Sequence, residues 1–190
     1  MHKRGVALGA FLVTAALFGG TTLVNHLGFR VNLTHSAPVG IYRLSPIRHV
    51  PVLLRGELVE LCAPDLPLLN LLRDDGFIEE GSCPDTHAIP FLKPVSAVAG
   101  DVVLIQHGQD AMVNGNLVPH TVARTNIPAW PDGTYIVAPG TIWVFSSYST
   151  GSLDSRYFGP VSLDRVHGRV KPVLVSGDVA AMIPPPNTRG

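Results

Sequence analysis

The sequence predicts a mostly β protein: an antiparallel, barrel-like domain behind an N-terminal transmembrane helix, with one short helical insertion. Three observations carry this. Seventeen prolines and nineteen glycines punctuate a chain that is 46% hydrophobic, a turn density that suits short strands better than a helical bundle. Apolar and polar residues alternate in brief runs between those turns. No Asp, Glu, Lys or Arg occurs between Arg4 and Arg30.

The uncharged run comes first. Gly5 to Val24 is long enough, at about 1.5 Å per helical residue, to span a hydrocarbon core of about 30 Å. Lys3 and Arg4 precede it, which orients the N-terminus to the cytoplasm and the remainder outside. The alternative is a signal peptide cut among small residues around Ala15 and Ala16. The expected organisation is residues 1–28 as cytoplasmic N-terminus and anchor, 29–180 as a periplasmic β-rich domain, and 181–190 as a tail.

Beyond the span, "GIYRL" and "GELVELC" read as short strands, with Leu58 and Glu60 alternating against Val59 and Leu61. "PDLPLLNLLRDDGF" (64–77) has Leu66, Leu69 and Leu72 at three-residue spacing, Asp65 as N-cap before Pro67, and Gly76 as stop. It reads as a short helix forming an outer flap. "IPFLKPVSAVAGDVVLIQHG" reads as two strands broken at Gly100-Asp101, and Asn114-Gly115 between apolar runs is a hairpin signal. "TIWVFSS" and "HGRVKPVLV" complete a count of about eight strands. "IPPPNTRG" is expected to fray.

Cys62 and Cys83 both follow the span. In an oxidising compartment a disulfide between them is expected. It would close a loop worth about 3 kcal/mol. The alternative is two buried free thiols.

Composition excludes several functions. Fourteen basic and fourteen acidic residues balance, with no basic block, so nucleic acid is not an expected partner. Eight histidines are scattered without ligand spacing, so no metal or other cofactor is expected. A glycine-rich phosphate loop and a G-x-S-x-G elbow are both missing from the sequence.

Serine with lysine is left. Ser36 stands beside Ala37-Pro38-Val39-Gly40, which reads as a rigid turn. The chain has three lysines: Lys3, Lys93 and Lys171. Lys93 is the sole charge from Thr86 through Gly100, and on a strand it shares a face with Phe91 and Val95. An apolar face disfavours the ammonium, and lowering the usual lysine pKa by two to three units takes about 3 to 4 kcal/mol. The alternative places Lys93 on a solvated edge. Lys171 has similar flanks, but Arg169 marks its face as wet. In "SLDSRYFGPV", Asp154 and Arg156 would share a strand face and pair, either as a plain structural ion pair or near a Ser152 that serves the lysine amine.

The stretches "HSAPVGIY", "FLKPVSAVAGDVV" and "GSLDSRYFGPV", in that order behind an anchor, resemble the type I signal peptidase family of membrane-anchored serine proteases. The runs "GSCPDTHAIPFLKPVSAVAGDVV" and "DSRYFGPV" are most similar to its conjugative-transfer, TraF-type subgroup. The resemblance implies a serine endopeptidase with Ser36 as nucleophile and Lys93 as general base. It implies that Ser152 orients the lysine, that the Ser36 N–H and the Thr34 hydroxyl form the oxyanion hole, and that Asp154 and Arg156 are structural supports. It implies an exported precursor as substrate, in this subgroup a pilin, cut after small residues and then either hydrolysed free or joined into a ring, at the bacterial inner membrane. Two departures separate the chain from housekeeping leader peptidases: Ala37 stands where they usually carry Met, and "SSYSTGS" where they carry Gly-Asp-Asn. The competing expectations are a general signal peptidase and a non-enzymatic β-domain of a secretion or conjugation apparatus.

Overall fold

The computed structural model describes residues 27–47 and 52–182. The expected anchor over 5–24 and the tail from 183 onward lie outside them.

Eleven strands form two antiparallel sheets. They are β1 (Phe29–Asn32), β2 (Val39–Pro46), β3 (Leu58–Leu61), β4 (Phe91–Ala97), β5 (Val102–Ile105), β6 (Met112–Val113), β7 (Asn116–Leu117), β8 (Gly133–Ile136), β9 (Thr141–Val144), β10 (Val161–Ser162) and β11 (Val166–Ser176). The larger sheet runs β1-β2-β11-β3-β4-β9-β10, the smaller β7-β6-β5-β8. β1 and β10 end the larger sheet and do not pair with each other among the described residues, so the expected antiparallel β architecture takes the form of an open sheet that does not close on itself. The mostly β reading holds. The count of eight fell short because β10 is two residues long, while β1 and β8 lie at sheet edges.

The last strand sits in the middle. β11 lies between β2 and β3 and pairs with both. Its register against β2 shifts between Pro172 and Leu174, as expected where a proline withholds an N–H from the ladder. Gly40 faces that bulge: a Cβ there would stand 2.2 Å from the Leu174 carbonyl oxygen. Only a glycine lets the two backbones approach so closely.

The helical insertion is α1 (Pro67–Asp74), burying Leu69 and Leu72. Its N-cap is Leu66, with no side-chain cap; Asp65 instead accepts a bond from the Asn70 side chain at 3.0 Å. The expected capping role of Asp65 is therefore corrected, and proline at the start, which needs no N–H partner, opens the helix. Cys62 and Cys83 are joined by a disulfide that encloses α1.

Three cores hold the sheets. One gathers Val59, Leu61, Leu69, Leu72, Val95 and Phe158 beneath the insertion. A second gathers Val103, Val113, Trp143 and Phe145. A third packs Ala37, Tyr42, Val170 and Met182. β9 serves two of them by strand alternation: Ile142 and Val144 face the first, Trp143 the second. On β4 a register shift between Val95 and Ala97 sends those residues to different cores. Ser96 fills that bulge, donating to the Phe145 carbonyl at 3.1 Å and accepting from its N–H at 2.9 Å.

The expected alternation on β3 does not separate inside from outside, since all four of its residues are buried. Glu60 is accommodated by an ion pair with Arg30 at 2.7 Å and by His167 at 3.4 Å. Burial alone would raise its carboxyl pKa, but the bonds from His167 and Arg30 outweigh that and hold it below the usual range. Asp101 ties the corner between the sheets. It accepts from Arg55 at 2.8 and 2.7 Å, from the Val98 N–H at 2.8 Å and from Asn114 at 2.9 Å.

Candidate active site

Ser36 lies in a turn over Thr34–Ala37, between β1 and β2. Pro38 follows that turn and Gly40 is already in β2, so the turn sits earlier than Ala37-Pro38-Val39-Gly40 suggests. Asn32, the last residue of β1, builds it. Its side-chain amide donates to the carbonyls of Thr34, Ala37 and Pro38 at 3.0, 3.2 and 3.1 Å. Its oxygen accepts from the Thr34 hydroxyl at 2.7 Å. Tyr42 donates to the Pro38 carbonyl at 2.6 Å, its phenol pushed up to about 12 by burial and by Tyr148. Ser146 donates to the Ser36 carbonyl at 3.0 Å.

The Ser36 hydroxyl lies 3.1 Å from the Thr34 hydroxyl. Thr34 has one proton and directs it to Asn32, so Ser36 is the donor of that pair.

Lys93 comes from β4, opposite Val59 of β3. It is 2% exposed, with its Nζ 5.6 Å from the centre of the Phe91 ring. Nζ donates to the hydroxyl of the fully buried Ser152 at 2.8 Å. Burial pulls the amine down to about 8; the Asp154 charge works against this and the Arg156 charge with it. Lys171 is exposed on β11.

Asp154 and Arg156 pair, but not on a strand. Asp154 is the N-cap of a one-turn helix, α2 (Ser155–Phe158), and accepts from the Arg156 N–H at 3.2 Å. Its carboxylate grips the guanidinium through two bonds of 2.8 Å. Capping, which favours Asp ahead of a helix, explains the spacing of two that reads as a strand face. Arg156 also donates to the carbonyl of His120 at 2.9 Å. Both residues are buried, and Asp154 accepts from the Ser146 N–H at 3.1 Å. The pair thus braces Ser146, which holds the Ser36 backbone.

Ser36, Thr34 and Lys93 line one cleft of about 920 Å³. No hydrogen bond joins Ser36 to Lys93 among the described residues; each hydroxyl or amine has its own partner. Phe77 to Glu79, inside the disulfide-closed loop, line the same cleft. Among the described residues no cluster of His, Cys, Asp or Glu could hold a metal ion.

Sequence reasoning passed over Asn32 and Ser146. Asn32 carried a local signal, an Asn two residues before a Thr in a turn. Ser146 carried none: apart from the Tyr148 N–H two residues on, the partners that give it its place, Ser36 and Asp154, lie 110 and 8 residues away.

The family model described as "Signal peptidase, peptidase S26" matches residues 3–175. A "Probable conjugal transfer protein TraF" from Sinorhizobium fredii (strain NBRC 101917 / NGR234) is 33% identical over 179 residues, covering 91% of this chain and 92% of that one. A "Plasmid transfer protein TraF" from Escherichia coli is 32% identical over 153 residues, covering 77% and 83%. A solved signal peptidase I from Enterococcus faecalis V583 is more distant: 17% identical, covering 64% of this chain and 98% of that one, with a TM-score of 0.36.

Proposed function

Because the chain belongs to the peptidase S26 family of signal peptidases, we propose that it is a serine endopeptidase in which Ser36 is the nucleophile and Lys93 the general base. One observation carries the reading: a buried amine, brought down to about 8, shares a cleft with a serine on a braced turn. An ammonium cannot accept a proton, and burial brings Lys93 close enough to neutrality that about one amine in ten is uncharged at pH 7 and most are above pH 8.

As substrate enters, the Ser36 hydroxyl turns from Thr34 toward the Lys93 amine and attacks the scissile carbonyl as its proton passes to Nζ. The oxyanion is met by the Ser36 N–H and by Thr34, once the Thr34 proton leaves Asn32. Ser152 orients the amine throughout. The Lys93 ammonium then protonates the leaving amine, and water frees the acyl-enzyme.

The named relatives act in conjugal and plasmid transfer, and this supports a substrate in the same process: an exported pilin precursor, cut after a small residue. In such a chain an amine from the substrate's own N-terminus can replace water and close a ring. The run over 5–24 is proposed as the anchor that holds the 29–180 domain on the outer face of the inner membrane.

The test is mass spectrometry of a co-expressed pilin precursor. Wild type should yield a processed product, and a ring will be one water lighter than the linear form. Ser36→Ala and Lys93→Ala should each lower processing by about 1000-fold or more. Lys93→Arg should fail equally, since arginine stays charged. Normal processing by any of the three ends the proposal.

A further inference from the structure

Six arginines among the described residues each face a carboxylate: Arg30, Arg55, Arg73, Arg156, Arg165 and Arg169. Arg43 lies over the Phe29 ring. Arg124 has neither kind of partner among the described residues, and it lines the catalytic cleft.

Arg124 is exposed, but its backbone is anchored and its side chain rests against the cleft wall. The Arg124 N–H is held by the hydroxyl of the buried Tyr157 at 3.0 Å. Its guanidinium lies against Gly151: a Cβ on Gly151 would stand 2.8 Å from Nη2 and 3.7 Å from Cζ. Gly151 is not in the left-handed region, so its backbone does not demand glycine. Room for the guanidinium is what the missing side chain provides. Gly151 immediately precedes Ser152, which bonds the Lys93 amine. Guanidinium, Gly151 and amine therefore line one cleft, with Ser152 buried behind it as the link between Gly151 and the amine. The acids of this cleft do not pair with the arginine among the described residues: Glu60 is bound to Arg30 and His167, and no ion pair joins Glu79 to Arg124.

We propose that Arg124 forms a carboxylate-binding subsite for the segment released by the cut, holding an acidic group within the first few residues after the scissile bond. This rests on the function proposed above. Lys93 must hand its proton to the leaving amine, so the leaving segment starts at Nζ and continues along the cleft past Gly151 toward Arg124. A planar guanidinium offers two parallel donors that match a carboxylate. The carboxylate is either a Glu or Asp side chain or, where the released piece is short, its C-terminal carboxylate.

The test uses the full chain in detergent and internally quenched peptides with Ala before the cut. Each of the first few positions after it carries Glu, Gln or Lys, and each peptide is made as free acid and as amide. Wild type should prefer the Glu or free-acid peptide by about tenfold in kcat/KM, the order of one charge-assisted hydrogen bond. A preference that follows Glu identifies the side chain; one that follows the free acid identifies the terminus. Arg124→Gln should erase the preference while leaving cleavage of the neutral peptide near wild type. Arg124→Glu should favour Lys instead, and Gly151→Ala should weaken the preference. Equal losses on every peptide in Arg124→Gln, or no preference in wild type, overturns the subsite.

The same peptides, labelled and bound to Ser36→Ala by fluorescence anisotropy, judge the subsite without turnover; equal affinity for Glu and Gln peptides overturns it there too. If Ser36→Ala cleaves as fast as wild type, the serine–lysine reading fails, while the Glu-against-Gln preference of wild type and its loss in Arg124→Gln still decide the role of Arg124.

Discussion

Lys93 costs the fold stability in exchange for a titratable amine. Its descent from the ordinary 10.5 to about 8 corresponds to about 3 kcal/mol. Below about pH 8 the amine is charged in folded and unfolded chains alike, and the folded state carries the full penalty. Between about 8 and 10.5 only the unfolded chain still binds the proton, so stability rises with pH there and levels above. Lys93→Met should therefore be more stable than wild type at pH 7, by up to about 3 kcal/mol less the lost bond to Ser152. That advantage should shrink as pH rises through this window. Denaturant titrations at several pH values check both, and a constant advantage would show that the charge is not its source. Activity should follow the same group: log kcat/KM climbing with unit slope to about pH 8 and flat beyond. Lys93 was legible because no other charge stands near it in sequence. Thr34 entered only through the family resemblance, and its bond to Asn32 was not readable, since a turn residue's partner depends on how the turn closes.

At the scale of elements, the disulfide-closed insertion meets both stability and substrate. Cys62 and Cys83 are 21 residues apart, and breaking the link should cost about 3 kcal/mol through the freed unfolded chain. Since Phe77 to Glu79 line the cleft, the variant with both cysteines changed to serine should also raise KM more than it lowers kcat. Thermal unfolding with and without reductant measures the first effect, and peptide kinetics the second; an unchanged KM would make the loop a scaffold only. The insertion and the Asn114-Gly115 hairpin were readable, because leucine spacing and turn chemistry are local. Both hairpin residues take positive φ, 51° and 79°, as that turn requires. α2 was misread, because four residues hold no helical period and Asp154 acts through its cap. β8 and β10 escaped notice for a similar reason: their ladders are made by partners far along the chain.

Across the whole molecule, Asp101 joins what the sheets leave separate. It links Arg55 ahead of β3, the corner between β4 and β5, and the β6–β7 hairpin. Burial alone would raise its carboxyl pKa, but the Val98 N–H, Asn114 and Arg55 more than offset that and leave it lowered. Its stabilisation is complete above the unfolded carboxyl value of about 4 and disappears as pH falls through the lower folded one. Asp101→Asn should lower Tm at pH 7 and flatten the decline of Tm between about pH 5 and pH 3. Parallel Tm curves for variant and wild type would show that the ionised carboxylate is not what holds the corner. The order of strands was beyond the reach of sequence reading, since nothing local tells β11 to enter between β2 and β3.

That insertion also sets a clock. Within the larger sheet, the hairpin carrying Ser36 joins the strand of Lys93 through β11, so the proposed nucleophile and base are strangers along that ladder until β11 has been made and has slipped between β2 and β3. Such distant pairings form late. A half-made chain therefore leaves the proposed site unassembled.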